Sequence, residues 1–395
     1  MKLQLYIVGF LFLLVSCTNN VVSIKNNKKG KVEATYQLVE NSGKKFYLDS
    51  ETAPKSPYMQ MTEDSLGRRI LTFLNLYKNA IYLYNYEDTS FVRKIVYKKE
   101  GGNAVSRLSG YYIKNSDSIY VYNMPMTEVI LTNSSAEIKE HISLRGSDNK
   151  LDWFSYYPQY LPSTVNPFLL VNDILLLTGQ LFSSIPATDI DRFKFTACIN
   201  THNNMVEFRH TYPKEIYGNG VNWEGGIPTR VYPTLSAKGE LIHSFPASHD
   251  LYLSRWDSDT TIAQVYGGSN NAGTIHSIDY DDTARTPDNL IISNFLHEDM
   301  YGAIIYDPYR KVYYRFLLQG IPNATIATSK EEKPINIIIM DENFNYLGET
   351  VIGTGKKWNW TNSFVTYEGL NIEYIDNEDT NEDYLNFRIF IPELI

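Results

Sequence analysis

The chain has 395 residues and carries 36 Lys and Arg against 45 Asp and Glu, a formal net charge of −9. That balance lacks the basic excess by which nucleic-acid-binding surfaces are recognised. With 31 Tyr and 18 Phe but only 15 Ala, and no long i, i+3, i+4, i+7 apolar stripe, the composition excludes a mainly helical protein and points to an all-β chain.

At the amino terminus Lys2 precedes the apolar run Leu3 to Val15, which closes in Leu14-Val15-Ser16-Cys17. About thirteen apolar residues are too few for a bilayer span, which takes roughly 20. The small residues of an ordinary A-x-A cleavage site are missing. The segment resembles the signal peptide and lipobox of a bacterial lipoprotein. On that reading residues 1–16 are removed, Cys17 carries the lipid, and the mature chain is exported and moored to a membrane. Residues 17–31 are polar and basic without a core-forming pattern, and are read as the lipidated cysteine and a flexible tether.

Residues 32–395 read as one β domain. Glu33 to Val39 and Lys45 to Leu48 form strands without a sheet of their own. An apolar strand, an Asn/Asp/Ser turn and a return strand then recur. These hairpins start at residues 81, 129, 195, 251 and 337, so the spacings are 48, 66, 56 and 86. The turn residues bond their own backbone and tolerate left-handed conformations. Further strands are expected at Arg69 to Leu74, Ser118 to Tyr122, Pro167 to Leu177, Gly239 to Phe245 and Leu290 to Phe295. Ala303 to Tyr306 pairs with Val312 to Leu318, and Phe364 to Ile375 and Tyr384 to Ile391 follow without a return strand. A propeller blade takes roughly 40 to 50 residues. The pattern therefore predicts a single β-propeller of six blades, with seven as the alternative if the widest gap holds another. Pairing an N-terminal strand with the C-terminal blade closes the ring and removes exposed edges. Two β-sandwiches would need a central linker rich in Pro, Ser or Gly, and none is present.

Leu48-Asp49-Ser50, Asn79-Ala80-Ile81-Tyr82, the run from Tyr306 to Phe316, Glu368-Gly369-Leu370 and Phe387-Arg388-Ile389-Phe390 resemble a family of uncharacterised lipoproteins from Bacteroidota, similar to TolB-like six-bladed propellers. The resemblance implies the fold and an outer-membrane address in the cell envelope, and carries no activity. In that phylum acidic residues after the lipidated cysteine mark surface export. Thr18-Asn19-Asn20 stand there instead, which implies a periplasm-facing anchor.

No catalytic constellation is visible. The chain contains neither G-x-S-x-G nor H-E-x-x-H. His243 and His249 flank a loop but read as interior residues rather than metal ligands. Gly353-Thr354-Gly355-Lys356-Lys357 lacks the spacing of a phosphate loop, and the acidic turn Asp376 to Asp383 lacks that of a calcium loop. Cys198 is a buried hydrophobe of the strand Phe195 to Ile199. The candidate ligand site is the glycine-rich stretch Gly218 to Gly226 with Arg230. There Trp223 would stack on a sugar or peptide side chain while Glu224 and Arg230 hydrogen-bond it, so that losing Trp223 would weaken binding and spare stability. Trp358 and Trp360 form a second aromatic pair. The expected function is a non-catalytic binding or scaffolding propeller for a protein, peptide or glycan, monomeric and without cofactor or metal. The alternative is a glycan-active lyase or hydrolase at the channel mouth.

Overall fold

The computed structural model describes residues 21–52, 55–145, 158–181, 190, 193–218, 220–281, 285–375 and 382–395. Six antiparallel sheets account for nearly all the strands. Blade 1 is Met59–Glu63, Arg69–Asn75, Ala80–Asn85 and Phe91–Val96, from the inside outwards. Blade 2 is Leu108–Asn115, Ser118–Asn123, Glu128–Thr132 and Ile138–Ser143. Blade 3 has a divided first strand, Gln159–Tyr160 and Leu169–Val171, both pairing with Ile174–Gln180, then Thr196–Asn200 and Val206–Arg209. Blade 4 is Tyr232–Leu235, Leu241–Ser244, Asp250–Ser254 and Thr261–Tyr266. Blade 5 is Met300–Asp307, Val312–Leu318, Pro334–Asp341 and Tyr346–Thr354. Blade 6 takes Trp358–Thr366, Gly369–Tyr374 and Tyr384–Leu394 from the carboxyl end and Tyr36–Tyr47 from the amino end.

The recurrent hairpin of the sequence is therefore the outer strand pair of blades 1 to 5. In blade 6 the return strand is Tyr36–Tyr47, which runs antiparallel to Tyr384–Leu394 from Tyr36 opposite Leu394 to Tyr47 opposite Tyr384. A bulge between Glu40 and Ser42 lets one twelve-residue strand replace the two short ones expected. The widest gap holds no seventh blade. It holds the connection from Gly267 to Asp299 and the long turn of blade 5 between Leu318 and Pro334. Leu290 to Phe295, read as a strand, lies in the helix Asp288–His297, entered through Pro287. A short apolar run does not distinguish the two by periodicity. Pro167 to Leu177 divides into two strands at Asn172 and Asp173, whose φ values of 46° and 61° make a tight hairpin turn. Phe364 to Ile375 divides likewise at Tyr367-Glu368.

Cores form where blades face one another. Phe46, Phe73, Tyr82, Tyr84, Phe364 and Phe387 join blades 6 and 1. Ala303, Phe316, Ile337, Trp358 and Leu370 join blades 5 and 6. Each large apolar side chain buried in this way contributes about 1.5–3 kcal/mol.

Two features shape the centre and the rim. The segment Pro162–Asn166 fills the axis: Pro162 sits over Gly110 of blade 2, where a β-carbon has no room. Thr164 Oγ1 accepts from Met59 N of blade 1 and donates to Asn362 Oδ1 of blade 6, at 3.0 and 2.7 Å. Asn166 Nδ2 donates to Thr178 O of blade 3. On the rim, the stretch expected to be a free tether is docked from residue 22 onwards. Ser23–Ile24 pairs with Ile275–His276, and Asn26 Nδ2 donates to Ser269 O and Ala272 O at 2.7 and 3.0 Å. A polar segment escapes a composition-based reading when its backbone and amide groups, not apolar side chains, hold it. Among the described residues no helix is long and apolar enough to cross a membrane.

Candidate functional site

Each inner strand starts on the same face of the ring, so the connections into the inner strands and the turns between second and third strands gather there. On this face a cavity of about 750 Å³ opens over blades 5 and 6. Trp358, Asn359, Trp360 and Thr361 enter it from the start of blade 6, Glu373 and Tyr374 from its second strand, and Tyr384 and Asn386 from its third. Lys330, Lys333 and Ile335 come from blade 5, Arg230 and Tyr232 lead into blade 4, and Phe295 projects from the helix Asp288–His297. Trp360 packs against Tyr232 and Phe316 at 5.9 and 5.7 Å between ring centres. Gly302 leaves the room that its ring needs.

Glu373 is buried, and burial pushes its carboxyl up to about 7 against two hydrogen bonds that favour the anion. Both bonds, from Asn362 Nδ2 and Asn359 Nδ2, fall on Oε2 at 2.5 and 2.7 Å, which leaves Oε1 for another donor. Asn362 also bonds Ser56 O and Thr164, so the acid is held by the axial plug. Asn386 adds a buried Oδ1 without a partner among the described residues. Lys333 is 1% exposed, and burial pulls its amine down to about 7. Its Nζ donates to Phe295 O and Glu298 O, placing positive charge where the helix's last carbonyls converge. Lys333 thus fixes the cavity wall. Arg230 is held by Nε donating to Gln180 Oε1 at 3.0 Å. The chemistry on offer is an aromatic ring, one poised carboxyl with a spare oxygen, an amide acceptor and cations around the opening.

The family model for the domain of unknown function DUF4221 matches residues 35–351. The chain belongs to the DUF4221 family. Its fold is similar to the crystal structure of a member of that family from Bacteroides vulgatus, at 21% identity and a TM-score of 0.77, covering 92% of this chain and 100% of that one. It is also similar to a "Putative exported protein" from Bacteroides fragilis, at 12% identity and a TM-score of 0.52, covering 92% and 97%. These likenesses carry the six-bladed arrangement. No curated protein matches the sequence.

Of the ligand-binding residues expected from the sequence, this DUF4221 chain brings only Arg230 to the cavity. Trp223 is 3% exposed; its Nε1 donates to Ile216 O and its ring packs on Tyr217. It is a plug, so Trp223→Ala is expected to cost roughly 3–5 kcal/mol in a denaturation experiment, contrary to the expectation that stability is spared. Glu224 sits at φ 50° beside it with Oε2 buried and unpartnered among the described residues, away from the cavity lining. Trp358 and Trp360 do line the cavity, although Trp358 is anchored through Nε1 to Ile352 O. His243 and His249 do not meet: His243 lies against Phe195 and His210, whereas His249 bonds Tyr301 Oη and Ile24 O. Among the described residues no group of three His, Cys, Asp or Glu is placed to hold a metal. Cys17 and most of the turn Asp376 to Asp383 lie outside the described residues. Sequence reasoning missed Glu373 and Lys333, which carry no motif.

Proposed function

We propose that this DUF4221 protein is an envelope lipoprotein, exported and lipidated at Cys17, whose propeller binds a glycan or a short peptide without transforming it. One observation carries the reading: the cavity over blades 5 and 6 joins the ring of Trp360 to the carboxyl of Glu373, whose Oε1 takes neither asparagine bond, and to Asn386 Oδ1, unpartnered among the described residues. Rings stack on the C–H face of a sugar or on a side chain, and the acceptors take hydroxyl or amide donors. The volume lies within the roughly 300–1,000 Å³ of small-molecule sites. The name of the Bacteroides fragilis neighbour supports export. The test is titration of the purified protein with a panel of oligosaccharides and peptides, read by calorimetry. A ligand found this way loses at least about ten-fold in affinity, or 1.4 kcal/mol, in both Trp360→Phe and Glu373→Gln, with melting curves kept. Binding that both variants leave untouched refutes the site.

A second reading, a glycan-active lyase or hydrolase, is favoured by Glu373 alone. A carboxyl held near 7 is suited to general acid–base work. Product formation from a panel ligand that Glu373→Gln abolishes decides for catalysis.

A further inference from the structure

The docked segment fixes where the amino terminus leaves the propeller. Val22 N donates to Ser277 Oγ and Ser277 N donates to Val22 O, both at 3.0 Å. His249 holds Ile24 O at 3.2 Å. The connection that receives this segment runs from the end of blade 4's outer strand to the start of blade 5's inner strand, so it lies on the cavity face. It is tied to the cavity wall itself: Asn294 Nδ2 donates to His276 O and His276 N donates to Glu298 Oε2, both at 2.9 Å. Asn294 belongs to the same helix as Phe295, which lines the cavity.

Four residues lie between Cys17 and Val22, so five residue steps link them, and fully extended chain covers at most about 3.6 Å per step, roughly 18 Å in all. A globule of this size has a radius of gyration of roughly 21 Å. The leash is therefore too short to pass from its exit point around to the opposite face. Lys25, Lys28 and Lys29 are exposed along the docked segment, where they favour an anionic lipid surface. We infer that the cavity face of the propeller is turned toward the lipid bilayer, held there because the docked residues 22–31 leave only a short leash to the lipidated Cys17. The occupant of that face is a membrane surface, and the inference rests on the Cys17 reading but not on which ligand the cavity takes.

The experiment uses the full lipidated protein in vesicles whose headgroups carry a quencher. Ile326 and Tyr309 are exposed at opposite ends of blade 5, Ile326 on the cavity face and Tyr309 in the turn after the inner strand. Ile326→Cys and Tyr309→Cys are each labelled with a fluorophore. Cys198 stays silent because burial pushes its thiol up to about 12. The expected result is strong quenching at position 326 and little at 309. A thirty-residue Gly/Ser insert between Asn20 and Val21, with an r.m.s. span of about 30 Å, erases the difference. Equal quenching with the native leash, or stronger quenching at 309, overturns the inference. So does wild-type protein that partitions into water like Cys17→Ala, an outcome that leaves ligand binding untouched.

Discussion

The ring is sealed differently at two of its boundaries. Between blades 6 and 1 the contact is aromatic and repeated: Phe46, Tyr84, Phe364 and Phe387 meet edge to face, and Phe73 stacks on Tyr82 and Tyr84. Between blades 4 and 5 an apolar core that includes Leu251, Ile304, Leu317 and Met340 is supplemented by one buried cation. Arg315 of blade 5 is fully buried, stacks 3.9 Å above Tyr301, and gives hydrogen bonds to Ser244 Oγ and to the carbonyls of His249, Gly267 and Ser248. Among the described residues no acidic side chain hydrogen-bonds it; burial pulls it down to about 10, against the neighbouring Tyr301 and Asp250, which favour its charge. An apolar boundary spreads its stabilisation over many contacts. At the other boundary a single residue adds a concentrated set of hydrogen bonds to the apolar core, next to the docked amino-terminal segment and the cavity wall.

That contrast can be broken from either side. Arg315→Leu strands at least three buried carbonyls and is expected to cost roughly 4–5 kcal/mol in chemical denaturation, with hydrogen exchange rising first in blades 4 and 5. Phe46→Ala opens a cavity in the aromatic boundary and is expected to cost about 3 kcal/mol, with blades 4 and 5 kept. Acid sharpens the comparison. His210, His243 and His249 are buried in blades 3 and 4, the last against Tyr301 of blade 5, and burial holds all three below the ordinary histidine range. A depressed histidine favours the fold above its unfolded pKa of 6.5, and that stability is lost as the pH falls below it. Each such group costs at most about 1.4 kcal/mol per pH unit. Hydrogen exchange between pH 7 and 5 is expected to quicken in blades 3 to 5 before blades 6 and 1; uniform loosening contradicts this. The smallest effect is that of Tyr86→Phe. It removes a hydroxyl bonded to Thr366 and Asn371 across the aromatic boundary, for about 1 kcal/mol in the same denaturation assay.

The sequence declared the outer hairpins because each has one exposed strand. Phe91–Val96 and Thr261–Tyr266 are largely accessible, so apolar and polar runs alternate with the turns. The missing return strand at the carboxyl end and the spare strand at the amino end announced the closure. The cavity was illegible for the opposite reason. Gly369–Tyr374 lies between neighbouring strands and blades, so Asn371 is as buried as Leu370, and alternation no longer separates inside from outside. Glu373 follows in the same strand and looks like a solvent-facing residue. Trp223, in a loop of glycines, looks exposed because composition does not show that Ile216 and Tyr217 fold back over it.

The pairing of Tyr36–Tyr47 with Tyr384–Leu394 also dictates an order of assembly. The outermost ribbon of the final blade emerges first, and its mate emerges last, so the circle stays open until synthesis is complete. Joining the two ends of so long a chain carries a large loop-closure entropy and belongs to the slow, non-local class of folding events. A chain truncated before Tyr384 would be left with a naked sheet edge at both ends, prone to associate with other copies.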